Sequence, residues 1–280
     1  MSMGVSVTAG GLSETALRGR RQAPLLRIRG TLGIGWKIGL GVVGSGAVIA
    51  IWAVAAANSS KSVVPSPAAA WSALLELRRS GVLGAAAWAS IQRVLIGYGI
   101  SVAIGTVLGL AIGTFASVEA FFEAPIGFLR YIPASALTPV FLIWLGLGET
   151  PKICLIVVGT VFYNVLMIAD VGRAVPRELL NASYTLGAGR ITVLRRVILR
   201  HSVPGIIDVA RINLAAAWLM LVVAEILAAK QGLAYQVIRA QRFRAVDKMF
   251  ALLIVFGLIG LVSDILLRWL RNVSSPWARP

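Results

Sequence analysis

Six stretches of roughly 20 residues, each with few or no charges, run through this chain, and nothing else in it limits the fold so tightly. The hydrocarbon core of a bilayer is about 30 Å thick, and a helix needs about 20 apolar residues to cross it. Inside lipid every backbone N–H and C=O must be bonded within the protein, so a lone apolar stretch crosses as a helix. The windows are residues 38–57, 94–116, about 120–146, 153–169, 206–229 and 249–267. A soluble reading fails on composition. Charged residues are 14% of the chain and hydrophobic residues 58%, whereas soluble domains carry about a quarter charged. The fold class expected is all-α, a polytopic membrane helix bundle of about six transmembrane helices. Residues 1–37 read as a basic tail and residues 38–280 as the membrane domain.

The net charge of +16 would suggest nucleic acid in a soluble protein. Here its placement reads as orientation, because Lys and Arg collect on the cytoplasmic side. With the N-terminus inside, 15 of the 27 basic residues fall inside: the tail (Arg18, Arg20, Arg21, Arg27, Arg29, Lys37), residues 173–200, and the C-terminus. Nine fall outside, five of them in one loop from Lys230 to Lys248. Six spans put both termini on one side of the membrane, the cytoplasmic side by this charge count. The first apolar run is 20 residues, against about 7–15 in a signal peptide, so it is expected to remain as a span.

Several chemistries are excluded. The one cysteine, Cys154, cannot form an intramolecular disulfide, and the one histidine, His201, cannot build a histidine metal site. The Lys61-Ser62 pair lacks the glycines of a phosphate loop. No catalytic residue, metal site or cofactor is expected in this chain.

Local patterns add detail. Gly105, Gly109 and Gly113 share one helix face. Small faces let helices approach closely in lipid, so this one reads as packing within the bundle, with a dimer interface as the alternative. Pro125, Pro133 and Pro139 interrupt the third window. A broken helix at membrane depth belongs inside protein or beside a water-filled path, and a simple kink is the alternative. Polar residues mark a candidate substrate pathway: Ser135, Thr138, Asn164, Trp218 and Glu225. Glu225 lies five residues from Lys230, so a structural ion pair competes with a substrate role. Asp264 and Arg268 read as a solvated i, i+4 pair.

Residues 170–205 are the most informative. V-P-R-E-L-L-N-A-S-Y-T-L-G-A-G-R reads as a helix begun by Pro176 and ended by Gly187 and Gly189. A second short basic helix follows, ending near Pro204. In a soluble protein the pair would suggest DNA binding. Tethered between two spans, it lies at the membrane surface, where a basic segment can also rest on anionic lipid.

This segment resembles the cytoplasmic coupling block of permease subunits of ATP-binding-cassette importers: E-A-A, three residues, G, nine residues, I-x-L-P. The matching positions are Asn181, Ala182 and Ser183, then Gly187, then Val197, Leu199 and Arg200. Asn181, Ser183 and Arg200 depart from the pattern. Pro65-Ser66-Pro67 before an outer helix, S-I-Q-R-V-L-I-G (Ser90, Arg93, Gly97), I-P-A-S-A-L-T-P with W-L-G-L-G-E, and A-A-W-L-M-L-V-V-A-E-I (Trp218, Glu225) resemble one branch of that family. That branch imports nitrate, sulfonates, taurine and bicarbonate.

The resemblance spans about residues 63–270 and implies a division of labour. A second permease copy, as a homodimer, would complete the path. Two ATPase subunits would bind ATP and Mg and grip the helix at about 177–188. The contact set would be Glu178, Asn181, Ala182, Ser183, Leu186 and Gly187. A binding protein outside would deliver a small anion, and Arg239, Arg242, Arg244 and Lys248 would attract that anion or the carrier's acidic rim. A self-contained secondary transporter or channel is the alternative, although the internal repeats such proteins show are not evident here. A membrane-anchored nucleic-acid binder lacks a soluble domain to support it.

Overall fold

The computed structural model describes residues 33–60 and 63–278. Arg18, Arg20, Arg21, Arg27, Arg29, Lys61 and Arg279, and with them most of the basic tail, lie outside the described residues. Two units divide the chain, residues 1–58 and 59–280. In the first, α1 (Ile34–Ala57) is a 24-residue apolar helix, long enough to cross a bilayer.

In the second unit the helices follow from local signals. Ser66 caps α2 (Pro67–Arg79), accepting from the Ala69 N–H at 3.2 Å, and Pro67 opens its first turn. Its Ala70, Ala73 and Leu77 are buried at helical spacing. Then come α3 (Val82–Thr114), α4 (Ala116–Leu129) and α5 (Thr138–Leu145). At 33 residues α3 is about 50 Å long and extends beyond the bilayer core. It begins 12 residues before the apolar window because Val82–Arg93 buries Ala86 and Ser90 against α2 and residues 225–255. Next are α6 (Thr150–Arg173), α7 (Arg177–Thr185) and α8 (Arg190–Thr192). A π-helical segment (Val193–Ile198) leads into α9 (Leu199–Ala228), followed by α10 (Leu233–Arg242) and α11 (Val246–Ser274).

Among the described residues, five single helices are long and apolar enough to span: α1, α3, α6, residues 190–227, and α11. The third window is a broken pair. The chain turns by 79° between α4 and α5, through Pro133 and a 3-10 turn at Ala134–Leu137. Pro125 sits within α4, and Pro139 opens α5, where its missing N–H costs little.

Two sequence readings are corrected. The second basic helix does not end near Pro204. The helix runs through that residue, giving up the one backbone bond that proline cannot donate. Residues 230–248 are not an open loop, because α10 fills most of them and buries Leu233, Ala234 and Ala240.

The core is a series of clusters down the bundle. Ala73, Leu77, Ala86, Leu233, Leu252 and Val255 join α2, α3, α10 and α11. Val94, Tyr98, Ile156, Leu214, Ala217 and Leu221 join α3, α6 and α9. Leu110, Ile168, Val175, Val193, Ile198 and Ile206 hold the root of the α7 segment. The glycine stripe of α3 is what lets α6 lie so close. A Cβ on Gly105 would meet Asn164 Cβ at 2.8 Å, and one on Gly109 would meet the Val165 carbonyl at 2.6 Å. The stripe is consumed inside this chain.

Candidate functional site

Buried polar groups mark the places where the bundle holds more than apolar side chains. Around the middle of α3, Ser101 accepts from Thr160 (2.8 Å) and from the Asn164 amide (2.9 Å), and Asn213 of α9 donates to Asn164 Oδ1 at 2.9 Å. Tyr98 donates to the Ala210 carbonyl at 2.6 Å. Asn164 is fully buried, with Ser101 and Thr160. These bonds fix the register of α3, α6 and α9, because an unbonded amide in this apolar setting costs several kcal/mol.

A second network sits where α3, the start of α6 and the α9–α10 connection meet. Arg93 donates to both oxygens of Glu149 (2.5 and 2.9 Å), to Glu225 Oε1 (2.7 Å) and to the Gln231 carbonyl (2.6 Å). Glu225 also accepts from Ser90 (2.6 Å) and from the Ala234 N–H (2.9 Å). Ser90 in turn accepts from the Leu233 N–H at 2.9 Å. Glu225 is fully buried and Arg93 nearly so, while the Glu149 side chain is 58% exposed. The hydrogen bond from Arg93 holds the Glu149 carboxyl down at about 2, against the opposing effect of partial burial, and Lys152 at 2.8 Å adds to it. Gly232 closes the site at φ +143°, and any Cβ there would run into the Glu225 carboxylate. Arg93, which the charge map leaves unassigned, is thus the partner of Glu225; Lys230 forms no ion pair with it.

Toward the other end, Arg211 pairs with Asp264 (3.3 Å) and Arg271 with Asp208 (2.8 Å), tying α9 to α11. The Asp264–Arg268 pair is present at 2.5 Å, and Arg211 extends it into a cross-helix cluster.

The α7 segment is built differently. Gly187 takes φ +79° just past the helix end, a left-handed position that suits glycine. Leu180, Ala188, Leu194 and Val197 pack on the cluster beneath. The opposite side is left open, with Leu186 88% exposed, Tyr184 about half exposed, and Leu179, Glu178, Asn181 and Ala182 also exposed. Ser183 is partly buried and bonds to the Leu179 carbonyl at 2.7 Å. All six residues of the expected contact set therefore sit together on α7 and its cap.

The pathway set is not gathered in this way. Asn164 and Glu225 belong to the two separate networks. Thr138 is buried and bonds to the Ser135 carbonyl at 2.7 Å, at the α4–α5 break, where Ser135 is exposed. Trp218 lines a cavity of about 620 Å³ between α9, α10 and α11, edge-on to Phe256. Its walls are almost wholly apolar (Leu214, Val222, Val237, Phe256), and its charged lining residues, Arg211 and Asp264, are paired with each other. Such a cavity does not solvate a small anion. Among the outer basic residues, Lys248 is engaged by Glu76 at 2.7 Å. Arg239, Arg242 and Arg244 are exposed and form no ion pair with a described residue.

Comparison with known proteins places these features. A sequence profile described as "Binding-protein-dependent transport system inner membrane component" matches residues 80–272. A Bacillus subtilis protein assigned to aliphatic sulfonates transport as its permease is 30% identical over 271 residues, 96% of each chain. The taurine transport system permease protein of Escherichia coli is 35% identical over 202 residues, covering 70% of this chain and 73% of that one. In fold, an inward-facing structure of the MetNI methionine ABC transporter aligns with 68% of this chain and 96% of its own, with a TM-score of 0.58 at 19% identity.

Proposed function

Because the chain belongs to the family of binding-protein-dependent transport inner membrane components, as an ABC importer permease of the sulfonate, taurine and nitrate type, we propose the following division of labour for it. Two copies form the path for a small anion across the inner membrane, with both termini in the cytoplasm. The α4–α5 break contributes to the wall of that path, with Ser135 on its open side. A binding protein delivers the anion from outside. Two ATPase subunits bind ATP and Mg and hydrolyse the nucleotide.

The open face of α7 carries this reading. Leu179 and Tyr184 on the nine-residue α7, and Leu186 at its C-cap, are exposed, and the root of the helix is anchored between two spans. Apolar side chains grouped in this way on a short surface helix fit a protein cleft. The rigid root lets a push on α7 pass into α6 and α9, because the same cluster contains Ile168 and Ile206. Arg239, Arg242 and Arg244, on α10 and just after it, form no ion pair with a described residue and would supply a positive field that favours an anion or an acidic carrier rim.

The experiment is affinity isolation of the full chain from its native membranes, with photolabelling by an azido-ATP analogue. A labelled subunit accompanies the wild type and is lost from Leu186→Asp with the permease yield unchanged. Equal recovery of the labelled subunit with both chains overturns the role given to α7.

A further inference from the structure

Five arginines in this bundle, Arg93, Arg173, Arg211, Arg268 and Arg271, have a carboxylate partner among the described residues. The run Arg190, Arg195, Arg196 and Arg200 is different: all four are exposed and none pairs with a described residue. Two of them line a cleft of about 440 Å³ together with His201, Val197, Ser183 and Trp277. Among the described residues no carboxylate lines it. The Arg200 guanidinium lies 5.3 Å from the centre of the Trp277 ring. A cation–π contact of this kind does not consume the N–H groups of a guanidinium as donors.

Position then narrows the ligand. The cleft lies between the start of α9 and the 3-10 turn Pro276–Ala278 that follows α11, so it sits between the same-side ends of two spans. Tryptophan at such a level sits at the boundary between lipid and water. A basic pocket between spans at that boundary matches the phosphate-bearing headgroup of an anionic phospholipid, and the apolar Leu179 and Val197 walls suit the glycerol and upper acyl region.

We infer that the cleft formed by Arg196, Arg200, His201 and Trp277 binds the headgroup of an anionic phospholipid. The site needs α9 and α11 to cross the bilayer. It does not depend on which anion is transported or on the ATPase contact. Because Leu179 and Ser183 of α7 form one wall, the bound headgroup touches the helix assigned to ATPase contact.

The test is native mass spectrometry of the full chain in detergent, titrated with phosphatidylglycerol, cardiolipin, or phosphatidylcholine of matched acyl chains. A parallel thermal-unfolding series uses inorganic phosphate. Wild type prefers the anionic lipids by at least about tenfold, and R196Q/R200Q weakens their binding by about thirtyfold, the effect expected of two headgroup-facing charges. R196K/R200K keeps most of the preference, which separates lost charge from a misfolded chain. The charge-matched R78Q/R79Q, at two exposed arginines of α2, binds these lipids as wild type does. The inference is overturned if R196Q/R200Q retains the preference, or if millimolar inorganic phosphate stabilises the chain as well as phosphatidylglycerol does. It is also overturned if wild type shows no preference while R196Q/R200Q loses the azido-ATP-labelled subunit, since the arginines then face a protein. Absence of any labelled subunit from wild type counts against the ATPase assignment and leaves the lipid preference standing.

Discussion

Replacing Arg93 with methionine removes four hydrogen bonds at once, two to Glu149, one to Glu225 and one to the Gln231 carbonyl. The cost is set by what is stranded. Glu225 is fully buried and keeps only the Ser90 hydroxyl and the Ala234 N–H. Removing one member of a buried ion pair costs about 3–5 kcal/mol, most of it the uncompensated charge. Glu149 is 58% exposed and is re-solvated by water, so Glu149→Gln costs about 1 kcal/mol or less. The double variant R93M/E225M leaves no stranded charge and recovers most of the loss, a coupling of at least about 2 kcal/mol. Detergent-to-SDS unfolding of wild type, R93M, E225M, E149Q and R93M/E225M measures all three quantities. If R93M is no more destabilised than E149Q, or if R93M/E225M is worse than R93M, the network is not what fixes the α9–α10 connection.

Other consequences follow from the same contacts. Gly109→Val forces carbons into the Val165 carbonyl and the Ile168 side chain and lowers stability by about 1–3 kcal/mol in the same unfolding assay. Gly99→Ala, with nothing within 4 Å of the new Cβ, stays within about 0.5 kcal/mol of wild type or gains slightly. Glu149 is held at about 2, against an ordinary 4.5. Its contribution to stability is therefore fully present above about pH 4.5 and lost as pH falls through about 2, so the difference between wild type and E149Q is flat from pH 7 to 5 and shrinks below that. Uptake by R239Q/R242Q/R244Q falls most at low ionic strength and converges on wild type at high salt, because exposed charges are screened over about 10 Å at 0.1 M salt. Identical rates at every ionic strength would remove α10 from the capture of the anion or its carrier.

Much of the fold was legible because lipid makes composition decisive. The windows at 153–169 and 249–267 needed no knowledge of packing to be read as α6 and α11. The prolines announced the α4–α5 break for the same reason, since their lost donors act locally. What escaped the sequence was long-range or amphipathic. Arg93 and Glu225 are separated by 132 residues, and nothing near either names the other. Lys230, the close neighbour of Glu225, was the natural suggestion. The α10 helix hid behind its charges, because its buried face rests on Leu233, Ala234 and Ala240, and two of these are too small to register as a hydrophobic stripe. Pro204 looked like a terminator, yet the preceding π segment and the burial of Ile198 and Ile206 carry the helix through it. The residues expected to contact the ATPase lie together on α7 and its cap because they are contiguous in sequence. The pathway set, chosen for polarity alone, scattered into two structural networks, a cavity wall and a bend.

The central claim is that this chain converts ATP hydrolysis by a partner into anion import through α7. Its most direct measurement is ATP hydrolysis by the complex in proteoliposomes, with binding protein loaded with sulfonate, taurine or nitrate or left empty. The account predicts that one loaded form stimulates hydrolysis several-fold over the empty form, and that Leu186→Asp abolishes the stimulation while the permease remains folded in the membrane. Uptake of the anion that proceeds without ATP, or stimulation unchanged by Leu186→Asp, would contradict it.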